Sequence, residues 1–153
     1  MTSLRLATSS AFLVLAGLVA IGPLCSAFQE PAPLTVWDGV YTLEQAKKGE
    51  ALYSSNCASC HGLGLTGGES APPLTGGEFL SNWNGLTLGE LFDRIRTTMP
   101  ADRPGKLTRE QITNILAHML SVGEFPPGAA ELSTRTEILK QVRIDAVKPE
   151  ARK

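Results

Sequence analysis

Cys57-Ala58-Ser59-Cys60-His61 constrains this chain more than any other stretch of its 153 residues. C-x-x-C-H is the arrangement that attaches haem covalently: two thiols add to the porphyrin vinyl groups, and the adjacent imidazole ligates the iron from one face. The spacing serves that chemistry. Cysteines three positions apart on a short helical turn reach neighbouring vinyls while the next residue turns its ring toward the metal. Three other readings use parts of the motif. A redox C-x-x-C expects a strand-then-helix context, whereas the residues before Cys57 read as helix. A structural zinc site wants four ligands, and beyond Cys57, Cys60 and His61 there remain only His118 and the acids. A disulfide between Cys57 and Cys60 leaves His61 without a task.

The first 27 residues read as a signal peptide. Arg5 gives a positive start, Ala11 to Leu24 is an apolar run short for a membrane span, and Cys25-Ser26-Ala27 places small residues where a signal peptidase reads, so cleavage is expected after Ala27. Cys25 raises two alternatives, a lipid anchor and an uncleaved amino-terminal anchor. The lipid route prefers a small residue before the cysteine, where this chain has Leu24. Removing residues 1–27 deletes one base and no acid, leaving 13 Lys and Arg against 15 Asp and Glu, a net charge of −2. Such a chain is a poor nucleic-acid binder. Cys57 and Cys60 are then its only cysteines. Export and motif support each other, because bacterial haem attachment to C-x-x-C-H is completed outside the cytoplasmic membrane.

Residues 28–41, with Pro31, Pro33 and Gly39, read as an extended lead-in, and residues 42–123 as one all-α domain. Thr42 with Gln45 predicts a capping box opening the first helix, with Leu43, Ala46, Gly49 and Tyr53 on one face. After His61, the glycines from Gly62 to Gly68 suit a loop packed around a flat ligand. They are not a phosphate loop, having neither a preceding strand nor a following Gly-Lys-Ser/Thr. Phe79 to Leu86, with Trp83, is expected to form a short turn or helix.

Thr87 with Glu90 opens the next helix, where Leu88, Leu91, Phe92 and Ile95 make an apolar stripe. Pro100 ends it and biases Met99 toward an extended backbone on a loop. Thr108 with Gln111 opens the last main helix, whose stripe of Ile112, Ile115, Leu116, Met119 and Leu120 is the strongest in the chain. Gly123 and Pro126-Pro127-Gly128 stop it. The tail, within residues 124–153, is read as separate, either a surface extension packed on its own domain or frayed, or a dock for a larger partner, with one short helix around Thr134 to Val142.

From Leu43 to Gly123 the pattern resembles the class I c-type cytochromes: a helix running into C-x-x-C-H, a proline after the haem loop, a methionine on a loop after a middle helix, and a last helix crossing the first. Gly49, Tyr53, Cys57, Cys60, His61, Pro72, Leu74, Met99 and the helix Arg109–Val122 stand at those places. The resemblance implies a cytochrome c-like fold with one covalent haem c. It also implies that Gly49 and Tyr53, eight and four residues before Cys57, form the helix crossing; there His118-Met119-Leu120 departs from the aromatic the family often brings. A closer likeness, carried by Asn82 to Thr87 and Leu91 to Pro100, is to bacterial monohaem cytochromes beside or fused to quinoprotein alcohol and sugar dehydrogenases.

From this follow the expected roles. His61 is the proximal iron ligand, and the Pro72 carbonyl the acceptor that fixes its ring. Met99 is the sixth ligand; Met119 competes but lies in the core stripe, and His118 falls off that stripe toward surface or loop, with haem ligation as its other use. Trp83 is a candidate donor to a haem propionate and Arg96 a candidate partner for that carboxylate, against simple packing and a solvated helix face. Leu74, Phe79, Phe92, Ile95, Leu116 and Tyr53 are expected to wall the haem.

The expected function is a periplasmic electron carrier that is not itself an enzyme. It would take single electrons from a dehydrogenase, such as a quinoprotein, toward a respiratory oxidase or another cytochrome. Two rivals stand beside it: a haem enzyme or gas sensor with an open iron site, and a fixed cytochrome subunit of a dehydrogenase complex.

Overall fold

A computed structural model describes residues 33–150. The expected signal peptide with Cys25, the first residues of the lead-in and the last three residues of the tail lie outside them. The described elements are β1 (Leu34–Thr35), α1 (Leu43–Asn56), α2 (Ala58–His61), α3 (Gly76–Trp83), α4 (Leu88–Thr98), α5 (Arg109–Val122), α6 (Thr136–Leu139) and β2 (Val142–Arg143). No helix among them is long and apolar enough to cross a membrane.

The crossing of α1 with α5 is the main helix contact. It is set by Gly49, where a β-carbon would overlap the Asn114 carbonyl and stand 3.0 Å from the His118 Cβ. Only hydrogen at that position lets the backbones approach so closely, which accounts for a glycine inside a helix at a propensity cost of about 1 kcal/mol. One turn on, the Tyr53 ring meets the His118 ring with centroids 5.4 Å apart. His118 is therefore half-buried rather than turned out to the surface. It occupies the crossing, taking the place where the family often brings an aromatic.

Capping boxes form in full at Thr87 with Glu90 and at Thr108 with Gln111. At Thr42 only half forms: its hydroxyl accepts from the Gln45 N–H, but the Gln45 side chain turns inward. There Gln45 is buried, accepts from the Leu132 N–H at 2.8 Å and donates to the Leu132 carbonyl at 3.3 Å. Leu43, placed by periodicity on the apolar face, is exposed. It is the first residue of α1, where the chain has not yet turned under α5.

The segments flanking the helical domain fold onto it. β1 and β2 pair in parallel, Leu34 with Val142 and Thr35 with Arg143. These two-residue strands carry no alternating pattern long enough to read in sequence. Trp37 donates its indole N–H to the Asp145 carbonyl at 2.8 Å and packs edge-on against Phe125. In the tail, Leu132, Leu139, Val142 and Ile144 are all buried, and each contributes about 1.5–3 kcal/mol relative to exposure. The tail is thus a strap packed on its own domain and continuous with the core.

Candidate haem-binding site

The motif occupies the end of α1 and the single turn α2. Cys60 and His61 N–H groups both bond the Cys57 carbonyl, at 3.1 and 3.0 Å, so the turn is tight enough to hold both thiols and the imidazole within one revolution. Cys57 and Cys60 are free thiols, Cys57 partly buried and Cys60 exposed. Burial, with Cys60 adding a like charge nearby, pushes the Cys57 thiol up to about 11. No group of three or more His, Cys, Asp or Glu side chains among the described residues is placed to hold a metal ion, so the zinc reading lacks its ligands.

His61 is only 8% exposed. Its Nδ1 stands 2.8 Å from the Pro72 carbonyl oxygen. A carbonyl only accepts, so Nδ1 carries the hydrogen and Nε2 is left with its lone pair. That is the tautomer a metal-binding imidazole needs.

The loop that delivers Pro72 is built residue by residue. The Gly67 N–H returns to the His61 carbonyl at 2.9 Å, and the Leu74 N–H bonds the Leu65 carbonyl at 2.8 Å. Leu65, fully buried, adopts φ 59°, a left-handed conformation uncommon for leucine. Gly67 has φ 75°, and a β-carbon on it would meet Pro73 N at 2.6 Å and the Pro72 carbonyl carbon at 2.8 Å. The Tyr53 hydroxyl donates to the Gly62 carbonyl at 2.6 Å, anchoring the residue after His61. Burial, and then the nearby Cys57, push that phenol up to about 12. The sequence places Tyr53 among the haem walls and the glycines from Gly62 to Gly68 together in one loop packed around a flat ligand. The individual roles of Gly67 and Leu65 depend on backbone conformation, for which the glycine spacing was the only signal.

Met99 caps the carboxyl end of α4 in extended conformation, with its N–H on the Ile95 carbonyl at 2.9 Å. Phe92 is fully buried, while Leu74, Trp83 and Ile95 are partly buried against the same core. Trp83 stacks on Phe79 with centroids 6.2 Å apart. Arg96 is exposed and bonds Asp93 at 3.3 Å on its own helix, so its guanidinium is engaged along the surface of α4. An apolar cavity of about 220 Å³ is lined by Leu74, Phe79, Leu88, Leu116 and Met119 among others. Leu74, Phe79 and Leu116 of the expected wall therefore face one space. Phe92, Ile95, Met99 and His61 do not line it.

Two thiols on one turn, a buried imidazole with Nε2 uncommitted, and a thioether on a loop are a donor set that fits haem c. A family described as cytochrome c oxidase, cbb3-type, subunit III matches residues 44–119. The cbb3-type cytochrome c oxidase subunit CcoP of Rubrivivax gelatinosus is 30% identical over 86 residues, 51% of this chain and 26% of that protein. The chain thus spans about a quarter of the curated relative it matches. Among solved structures, the sulfane dehydrogenase SoxCD from Paracoccus pantotrophus is similar with a TM-score of 0.48 and 24% identity, over 70% of this chain and 61% of the matched chain.

Proposed function

We propose that this chain, which carries a monohaem class I c-type cytochrome domain with haem c attached through Cys57 and Cys60 and so serves electron transfer, works as an exported periplasmic carrier. It takes electrons one at a time from a dehydrogenase and passes them toward an oxidase or another cytochrome.

Bound haem supplies the one-electron couple. The protein's part is to hold and shield it. His61 offers Nε2 as the proximal ligand, and Pro72 fixes the ring plane and raises the basicity of the imidazole through Nδ1. Met99 would hold the iron through a neutral thioether, which favours reduced iron and would raise the potential toward that of a respiratory acceptor. Phe92 and Ile95 on α4, with Leu74 and Leu116, provide the apolar surroundings.

The observation that carries the reading is the contrast within the motif. Cys60 is exposed while His61, the next residue, is 8% exposed. The motif thus turns Cys60 toward the surface and keeps the His61 imidazole inside, an arrangement that suits outer-sphere transfer through a small transient contact. The strap from Leu132 to Ile144 is engaged on the chain's own core. That favours a carrier over a subunit docked through this segment.

The test is spectroscopic. The exported protein, oxidised and reduced, is compared with Met99→Ala. A weak far-red band of ferric haem that disappears in the variant, with no binding of carbon monoxide by the reduced wild type, supports the ligand pair and the carrier. Immediate carbon monoxide binding by the wild type favours the enzyme or sensor instead.

A further inference from the structure

We propose that Arg109 is a positioning residue for the sixth ligand: it clamps the carboxyl-terminal strap onto Phe92 and so fixes the direction in which α4 presents Met99. The inference rests on the reading of Met99 as that ligand.

Arg109 is the first residue of α5. A cation there opposes the helix macrodipole, at a cost of about 0.3–1 kcal/mol, so the helix itself gives no reason for it. Its contacts do. Nε donates to the Thr134 carbonyl at 2.8 Å and a terminal nitrogen to the Thr136 hydroxyl at 2.8 Å. The guanidinium carbon lies 4.9 Å from the centre of the Phe92 ring. One planar group thus joins three elements: the start of α5, the strap at α6, and the middle of α4.

The rest of the strap holds the other end of α4. A β-carbon on Gly89 would stand 2.7 Å from the Lys140 backbone nitrogen, so strap and helix meet backbone to backbone. Just before α4, the Gly85 N–H bonds the Ile144 carbonyl and the Ile144 N–H bonds the Leu86 carbonyl, each at 2.8 Å. The amino end of α4 is therefore pinned by residues 140–144 and its middle by Arg109 through Phe92. Met99 is seven residues, about 10 Å of helix, beyond Phe92, past Ile95, which packs partly buried on the core, at the start of the loop that returns to Arg109 itself. With the clamp removed, Phe92 loses the group that ties it to the strap, and the carboxyl-terminal half of α4, which presents Met99, shifts against the core.

Arg109→Ala and Arg109→Lys are made in the haem-loaded full chain, with Tyr41→Phe as control. Tyr41→Phe removes a buried hydrogen bond to the Phe125 carbonyl and leaves Arg109, Thr134 and Thr136 in place. The far-red ferric band and the rate of carbon monoxide binding to the reduced protein are read beside denaturant unfolding. Arg109→Ala is expected to lose most of the band and to raise the population with the thioether off the iron, and with it the carbon monoxide rate, about tenfold. Arg109→Lys recovers little, because one ammonium cannot fork between two oxygens while lying flat on a ring. Tyr41→Phe loses stability but keeps the band. Thr136→Val, which removes one acceptor and leaves Arg109 in place, gives a milder form of the test, with partial loss expected. A wild type that shows the band, with Arg109→Ala and Thr136→Val spectra and rates unchanged, overturns the proposal. So does loss of the band in Tyr41→Phe in proportion to its lost stability. A wild type without the band removes the Met99 reading itself.

Discussion

His61 and Pro72 are joined through a 2.8 Å contact between Nδ1 and the carbonyl oxygen, and that contact depends on Gly67, which lies against the Pro72–Pro73 peptide with no room for a side chain. A methyl group there must push the peptide away, and φ 75° adds strain for any L residue. The expected result for Gly67→Ala is a longer or lost hydrogen bond, a less basic imidazole and weaker stabilisation of ferric iron. A neutral hydrogen bond worth about 1 kcal/mol corresponds to about 40 mV in a one-electron couple, so the midpoint potential should rise by tens of millivolts. Redox titration checks this; an unchanged or lower potential would show that Pro72 does not tune the ligand.

Gly49→Ala sets helix propensity against packing. Alanine gains about 1 kcal/mol inside α1, but its β-carbon overlaps the Asn114 carbonyl on α5, and backbone cannot step aside as a flexible side chain can. Overpacking of this kind costs about 1–3 kcal/mol, and more where the obstacle is main chain. The helix crossing should open, and denaturant unfolding should show a net loss of stability. A neutral or stabilising outcome would mean that α1 and α5 are not in close register at Gly49.

The helical part of this fold was legible because its signals are local. Thr87 with Glu90 and Thr108 with Gln111 are complete capping boxes that can be read three residues apart, and Gly49, Tyr53 and the C-x-x-C-H pentapeptide sit at fixed offsets within one helix. What could not be read depends on distant partners. The Gln45 side chain abandons its cap for Leu132, 87 residues away, and nothing near Thr42 signals that choice. Two-residue strands have no period, so the pairing of Leu34 with Val142 left no trace, and the strap looked separate. His118 lies beside the α5 stripe by periodicity, yet it is half-buried because α1 crosses at that edge. Nothing near Arg109 in the sequence signals its contacts, which appear only once Phe92, Thr134 and Thr136 converge.

Gln45 offers a direct test of the strap's attachment. Its amide satisfies both backbone groups of Leu132 in a buried setting. Gln45→Leu keeps apolar volume but leaves an N–H and a C=O without partners, each costing about 1–3 kcal/mol. Stability should fall by roughly 2–6 kcal/mol, and amide exchange should rise first at Leu132 and its neighbours. Exchange that rises uniformly, with Leu132 no different from the helices, would show that Gln45 is not the local fastening.

His118 makes the helix crossing acid-sensitive. Its imidazole packs on Tyr53 between α1 and α5, and burial lowers its proton affinity below the ordinary 6.5, an effect that nearby Glu50 on α1 only partly offsets. A histidine whose folded value is depressed resists protonation in the native state while the unfolded chain accepts the proton. Its contribution to stability is therefore complete above 6.5 and is lost as pH falls from there through the lower folded value. Of the groups facing it, Glu50 favours the charged ring and works against this loss. The Tyr53 phenol, held up to about 12, stays neutral throughout the range. His118→Phe keeps an aromatic against Tyr53 and removes the titration. Unfolding free energies of the two proteins, measured in denaturant above and below 6.5, should run parallel at the higher pH and diverge on acidification, with the wild type falling more steeply. Parallel curves throughout would mean that His118 takes up its proton equally in both states, and that the crossing tolerates the charge.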